Sequence, residues 1–105
     1  YQKDQHEESA ISFRWLVILN PFEIKYWMGL AANQQLLDQF EKALHSYAIA
    51  SLLDQANPLP HYHAYECYES LNHKEDAKKA LDLAYERAKT DESYKEIKSK
   101  IESKR

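Results

Sequence analysis

Three groups of side chains in this chain have the types and spacing to do chemistry. His61, His63 and Cys67 come first, with His63 and Cys67 four residues apart and therefore on one face of a helix. A zinc site asks for about four ligands, and no second Cys/His pair stands at ligand spacing, so the reading is no metal. Cys67 as a nucleophile would need a base and an oxyanion donor. A lone cysteine inside a helical repeat reads instead as a small buried hydrophobe, and as the single Cys it excludes an internal disulfide and fits a reducing compartment. Glu66 and Glu69 could serve as paired acid and base only above a substrate cleft, which nothing else in the sequence supplies. The third group, Lys95 to Arg105, is interleaved with Glu96 and Glu102 and reads as a solvated helix face. With one Gly in the chain there is no phosphate-cradling loop, and no triad is present, so the expectation is neither an enzyme nor a cofactor protein.

The elements that hold these residues are helical. The chain has 105 residues, one small domain's worth, with one Gly and three Pro, too few turn-formers for a protein of many hairpins. A formal charge of −3 offers no basic footprint for nucleic acid, and no apolar run approaches the ~18 residues of a membrane span. No signal-peptide pattern opens the chain. It begins at YQKDQHEESA, which reads as the middle of a unit whose start lies upstream. Asn20-Pro21 introduces a helix over about Glu23–Leu37, with Ile24, Trp27, Leu30, Ala31 and Gln34 as its packed stripe. A second helix follows over Phe40–Leu53, where Ala43 and Ala50 mark a close helix–helix approach. Pro58 and Pro60 break the chain before a third helix over about His61–Leu71. Asn72-His73 turns it into a fourth, Lys74 to about Lys89. Ala10–Leu19 reads as the second helix of an earlier unit, and Thr90-Asp91 as the cap of a last helix with Tyr94, Ile97 and Ile101 on one face.

Sliding the chain by 34 residues superposes this pattern on itself. Trp27 falls on His61, Leu30 on Ala64, Gln34 on Tyr68, Ala43 on Ala77, Tyr47 on Leu81 and Ala50 on Ala84. That period is the tetratricopeptide length, a helix–turn–helix unit that stacks into a superhelix with a concave, peptide-binding wall. The expected fold is therefore all-α: tetratricopeptide repeats with a C-terminal capping helix, forming one domain over 1–105. Residues 1–20 would be the second half of a first repeat, 21–54 the second repeat, 55–89 the third and 90–105 the cap. Two whole units fall below the usual three, so either more chain or a second copy is expected to complete the stack. The aromatics at helical spacing, Trp27, Phe40 and Tyr47 among them, read as core.

Two runs are more specific than the period. Tyr26-Trp-Met-Gly-Leu-Ala-Ala-Asn-Gln-Gln35 followed by Phe40 to Asp54 resembles the middle repeat of the class II type III secretion chaperones. Pro58-Leu-Pro-His-Tyr-His-Ala-Tyr-Glu-Cys67 resembles their next repeat, and the likeness covers roughly residues 1–90. The resemblance implies a bacterial cytoplasmic chaperone that holds a hydrophobic translocator protein before export. It would bind a short extended, proline-anchored segment of that client in the concave groove. Such a segment gains order only on docking, and its prolines leave it less freedom to lose.

The inner wall of a repeat comes from its first helix, on the face away from the Trp27/Leu30 stripe. That assigns Met28, Ala32 and Gln35 to the groove in one unit and Tyr62, Glu66 and Glu69 in the next, with Tyr1 as the tip of an earlier inner helix. Met28, Ala32 and Tyr62 would form pockets, and Gln35 and Glu66 would meet backbone groups. The sequence departs from the family pattern at Asn33, where a cysteine is common, and at Tyr65, where a small residue is common. It also lacks the N-terminal region that supplies further aromatic pockets and a dimer contact, leaving a homodimer of the full-length protein open. Two other binding classes compete. One is an adaptor that clamps a C-terminal carboxylate, for which Met28, Ala32, Tyr62 and Glu66 offer no cation. The other is a scaffold that self-assembles through the open N-terminal half-unit.

Overall fold

The computed structural model describes residues 2–105, and all regular structure among them is helical. Helix α1 spans Gln2–Leu19, α2 Ile24–Leu36, α3 Phe40–Leu53, α4 Leu59–Ser70 and α5 Lys74–Ala88. A 3-10 turn at Glu92–Tyr94 then leads into α6, Lys95–Lys104. Each helix packs chiefly on the one before it and the one after it, which is the connectivity of a helical stack.

The 34-residue period is visible in the backbone itself. After α2, Asp38 takes a left-handed conformation with φ 59°. After α4, Asn72 does the same with φ 60°. In both turns the next two amides fold back on the helix end: Asp38 N–H donates to the Gln35 carbonyl and Gln39 N–H to Gln34, then Asn72 N–H to Glu69 and His73 N–H to Tyr68. This is the Schellman termination, with Asp and Asn standing in for the usual glycine because their short polar side chains tolerate the left-handed region. Two copies of one turn, 34 residues apart, end the first helix of each pair in the same way.

Small residues let the helices approach. Ala31, Ala43, Ala50 and Ala84 are fully enclosed, as is Cys67. Gly29 marks the tightest contact, because a Cβ there would collide with the ring edge of Phe13 from α1. Three apolar clusters run along the stack. Ala10, Val17 and Leu30 join α1 to α2; Ala31, Ala43, Tyr47 and Cys67 join α2, α3 and α4; and Tyr62, Leu81, Ala84, Ala88 and Ile101 join α4, α5 and α6. Ile101 is fully buried, and Tyr94 and Ile97 pack beside it, so α6 covers the end of the stack with the apolar face its spacing specified.

Three details differ from the sequence reading. Helix α1 is continuous from Gln2 and does not start at Ala10, since no Pro, Gly or capping residue interrupts the polar first turns. Tyr1, assigned to an earlier inner helix, lies outside the described residues. The enclosed residues of α1 are Ala10 and Val17, one place beyond the Ser9 and Leu16 that a strict 34-residue offset selects. The connections differ as well: four residues, 20–23, link α1 to α2, against five, 54–58, between α3 and α4. Finally, α4 starts at Leu59, two residues before His61. Pro60 sits in its first turn, where a missing N–H costs nothing, and Asn57 Oδ1 accepts from Leu59 N–H at 2.9 Å.

One guanidinium ties the two repeats together. Arg87 of α5 donates to the carbonyls of Ser51, Asp54 and Asn57 at 3.3, 3.3 and 3.1 Å, bracketing the last turn of α3 and the loop into α4. A cation at the C-terminal end of α3 also meets the negative end of the helix dipole.

Candidate functional site

Met28, Ala32 and Gln35 follow one another along a single face of α2, while Glu66 stands on the neighbouring α4. The structure brings the two helices' polar groups together. Gln35 Nε2 donates to Glu66 Oε1 at 3.3 Å, and Tyr47 Oη, from α3, donates to Gln35 Oε1 at 2.8 Å. His63 Nδ1 lies 2.7 Å from the same Glu66 oxygen, and the His63 ring stacks on Tyr47 with centroids 5.5 Å apart. Groups from α2 and α4 thus meet at one carboxylate, and α3 joins them through the Tyr47–Gln35 bond. The Gln35 amide is held at both ends, its oxygen toward the phenol and its nitrogen toward the carboxylate, so its orientation follows from its partners.

The electrostatics follow from these contacts. The hydrogen bond with His63 holds the Glu66 carboxyl below its ordinary range, and the Gln35 bond adds to this against the opposing effect of burial. Glu66 is therefore an anion whose Oε1 is fully engaged. Among the described residues no donor meets its Oε2, which stays available to an incoming group. Burial pushes the Tyr47 phenol well above its usual value, with the nearby Cys67 and Glu66 adding to the effect, so Tyr47 acts only as a neutral donor. Burial likewise pushes the Cys67 thiol up to about 11, with Glu66 contributing. A protonated, fully enclosed thiol is a packing group and no nucleophile. Beside this polar cluster, Met28 leans on the apolar group of Ala31, Ala43, Tyr47 and Cys67 while Ala32 is exposed, giving an apolar strip along α2.

The other residues assigned to the groove fall elsewhere. Tyr62 is only 8% exposed and belongs to the core cluster with Leu81 and Ile101, because α6 packs across its ring. Tyr62 is thus largely enclosed where an open pocket residue was expected. Glu69 lines a separate cleft with Tyr65 at the far end of α4, away from Gln35. Tyr1 is outside the described residues. Of His61, His63 and Cys67, the first lies within electrostatic reach of Arg87, the second binds Glu66 and the third is in the core; among the described residues no three His, Cys, Asp or Glu side chains are grouped to hold a metal ion.

Sequence reasoning missed two members of the cluster, Tyr47 and His63. Tyr47 read correctly as core, but its hydroxyl leaves the core to reach Gln35, 12 residues back across the α2–α3 turn. His63 read only as a weak metal ligand, although its position three residues before Glu66 is the spacing of a helical side-chain pair.

Comparison with known proteins agrees with the all-helical repeat fold. The tetratricopeptide repeat family model matches residues 24–57, the α2–α3 hairpin and its exit loop. Low calcium response locus protein H of Yersinia pestis is 28% identical over 103 residues, covering 98% of this chain and 61% of that protein. This chain thus spans less than two thirds of that relative's length. A chain of the CopN–Scc3 complex superposes with a TM-score of 0.94 at 40% identity over 100% of this chain and 62% of its own. The Yersinia enterocolitica type III secretion chaperone SycD, in complex with a peptide of the translocator YopD, superposes with a TM-score of 0.89 at 28% identity, covering 98% of this chain and 79% of that one.

Proposed function

We propose that this tetratricopeptide chain, matched along nearly its whole length by a type III secretion translocator chaperone, is itself the client-binding body of such a chaperone. Its task is to hold an extended, proline-anchored segment of a hydrophobic translocator protein along the concave face of α2 and α4. The observation that carries this reading is the Gln35–Glu66 pair, ordered in advance by Tyr47 and His63 beside the Met28–Ala32 strip. A groove whose polar groups are already fixed loses little freedom when a disordered segment docks. The apolar strip takes the client's leucine or proline side chains, and Glu66 Oε2 accepts from its backbone. No covalent chemistry is part of this task. The place of action is the bacterial cytoplasm, and among the described residues no helix is long and apolar enough to cross a membrane.

Co-expression with the proteins encoded beside its gene tests the proposal. The expected result is a soluble complex with a neighbour that carries long apolar segments and aggregates alone. A neighbour that stays insoluble in its presence would count against it.

One observation favours a second reading, a self-assembling scaffold. Ile11, Trp15 and Ile18 form an outward stripe on α1 that is 51%, 62% and 67% exposed. Sedimentation at several concentrations separates the two, because a strict monomer removes the scaffold.

A further inference from the structure

At the other end of the stack a cleft of about 780 Å³ opens between the ends of α4 and α6 and the first turns of α5. Its floor is apolar, formed by Tyr65, Ala77 and Leu81. Tyr65 is the unusual member. Its counterpart 34 residues earlier is Ala31, which is fully enclosed, whereas the Tyr65 ring is half-buried and lines the cleft. The third repeat therefore carries a large aromatic wall where the second has only a packing contact.

The rim is basic. Lys74, Lys78, Lys104 and Arg105 face the cleft, against two acids, Glu69 and Asp82. Asp82 is already engaged, pairing with Arg105 at 3.3 Å, so the remaining acid on the rim is Glu69 alone. No ion pair among the described residues takes up Lys74, Lys78 or Lys104. The setting is mildly basic: residues 74–105 hold ten of the chain's fourteen Lys and Arg against eight of its seventeen Asp and Glu, a net +2 in a chain of −3. Local positive charge steers acidic partners to one place.

We infer that this cleft docks an acidic peptide segment of another protein, its carboxylates on Lys74, Lys78 and Lys104 and an apolar side chain against Tyr65 and Leu81. The site is separate from the concave groove and does not depend on the function proposed for it. Charge complementarity selects acidic residues, and the aromatic floor selects an apolar one among them.

Fluorescence anisotropy tests this with a short labelled peptide of Asp and Glu around a central Leu-Phe pair, titrated with the full chain. Saturable binding is expected, weakening about tenfold when Lys78→Glu and Lys104→Glu are combined and weakening again with added salt. Tyr65→Ala should weaken it about threefold with the salt dependence unchanged, whereas Met28→Glu in the groove should leave it intact. Both lysines are at the surface, so their reversal does not threaten the fold. Equal binding of the Asn/Gln version of the peptide, undiminished binding by the reversed variant, or no saturation would overturn the inference. So would tighter binding of a single-stranded oligonucleotide, or self-association of the chain that the reversal abolishes.

Discussion

The hydroxyl of Tyr47 donates to Gln35 Oε1 at 2.8 Å, and that one bond turns a core residue of α3 into part of the groove wall on α2. The bond fixes the amide so that its nitrogen faces Glu66. Tyr47→Phe keeps the ring in its cluster and removes only the donor. It should cost about 1 kcal/mol in urea denaturation, and a double-mutant cycle with Gln35→Ala should show most of that as coupling. Independent, additive losses would mean that the bond contributes nothing.

Gly29 is kept small by Phe13, with a sign that can be read by experiment. In an open helix Gly→Ala gains up to about 1 kcal/mol. Here the added Cβ meets the Phe13 ring, so Gly29→Ala should instead lose about 1–3 kcal/mol. In a Phe13→Ala background the same substitution should become neutral or stabilising. If it is equally harmful in both backgrounds, the ring is not what excludes a side chain.

How much of this was legible in the sequence divides along the range of the interactions. Helix α3 has the bounds its pattern gave, and the gap between Leu37 and Phe40 and the turn at Asn72-His73 hold the left-handed Asp38 and Asn72, because both depend on residues close in the chain. The burial of Tyr62 was not legible, since it comes from α6, whose Ile101 is far along the sequence. The wall of Gln35, Glu66, Tyr47 and His63 was half visible. Spacing along α2 and α4 found the first two, but only the packing of three helices shows which hydroxyl and which imidazole reach them. The one-residue shift in α1 had no signal in the local helix pattern.

Arg87 offers a direct measure of how firmly the repeats are joined. Arg87→Ala leaves the Ser51, Asp54 and Asn57 carbonyls without this partner and should cost about 1–3 kcal/mol. All three carbonyls gather on the one nitrogen Nη1, so Arg87→Lys should recover only part because its ammonium falls one bond short of that position. Full recovery by lysine would reduce the contact to simple charge.

Acidification should weaken the fold through His61. Burial, with the positive Arg87 adding to it, lowers its pKa from 6.5 to about 4. Between those values the unfolded chain holds a proton that the folded chain does not, so stability falls as pH drops from about 7 toward 4. Because the imidazole is only half-buried, solvent screening holds the loss to about 1 kcal/mol. His61→Gln should flatten that part of the stability-against-pH curve, and an unchanged curve would assign the loss to other groups.

The central claim, that the concave face of α2 and α4 grips an extended client segment, is tested most directly by calorimetric titration with a peptide carrying spaced proline and leucine anchors. Tyr62→Ala is unsuitable as a control, because it opens a cavity in the core. Met28→Glu is the better one, since it sets a second anion on the apolar strip near Glu66 at a half-buried site. The account predicts saturable binding to the native chain, lost by about tenfold or more in Met28→Glu while that variant stays folded by circular dichroism. Binding that Met28→Glu leaves untouched, or a preference for acidic C-terminal peptides over the proline-leucine one in the native groove, would contradict it.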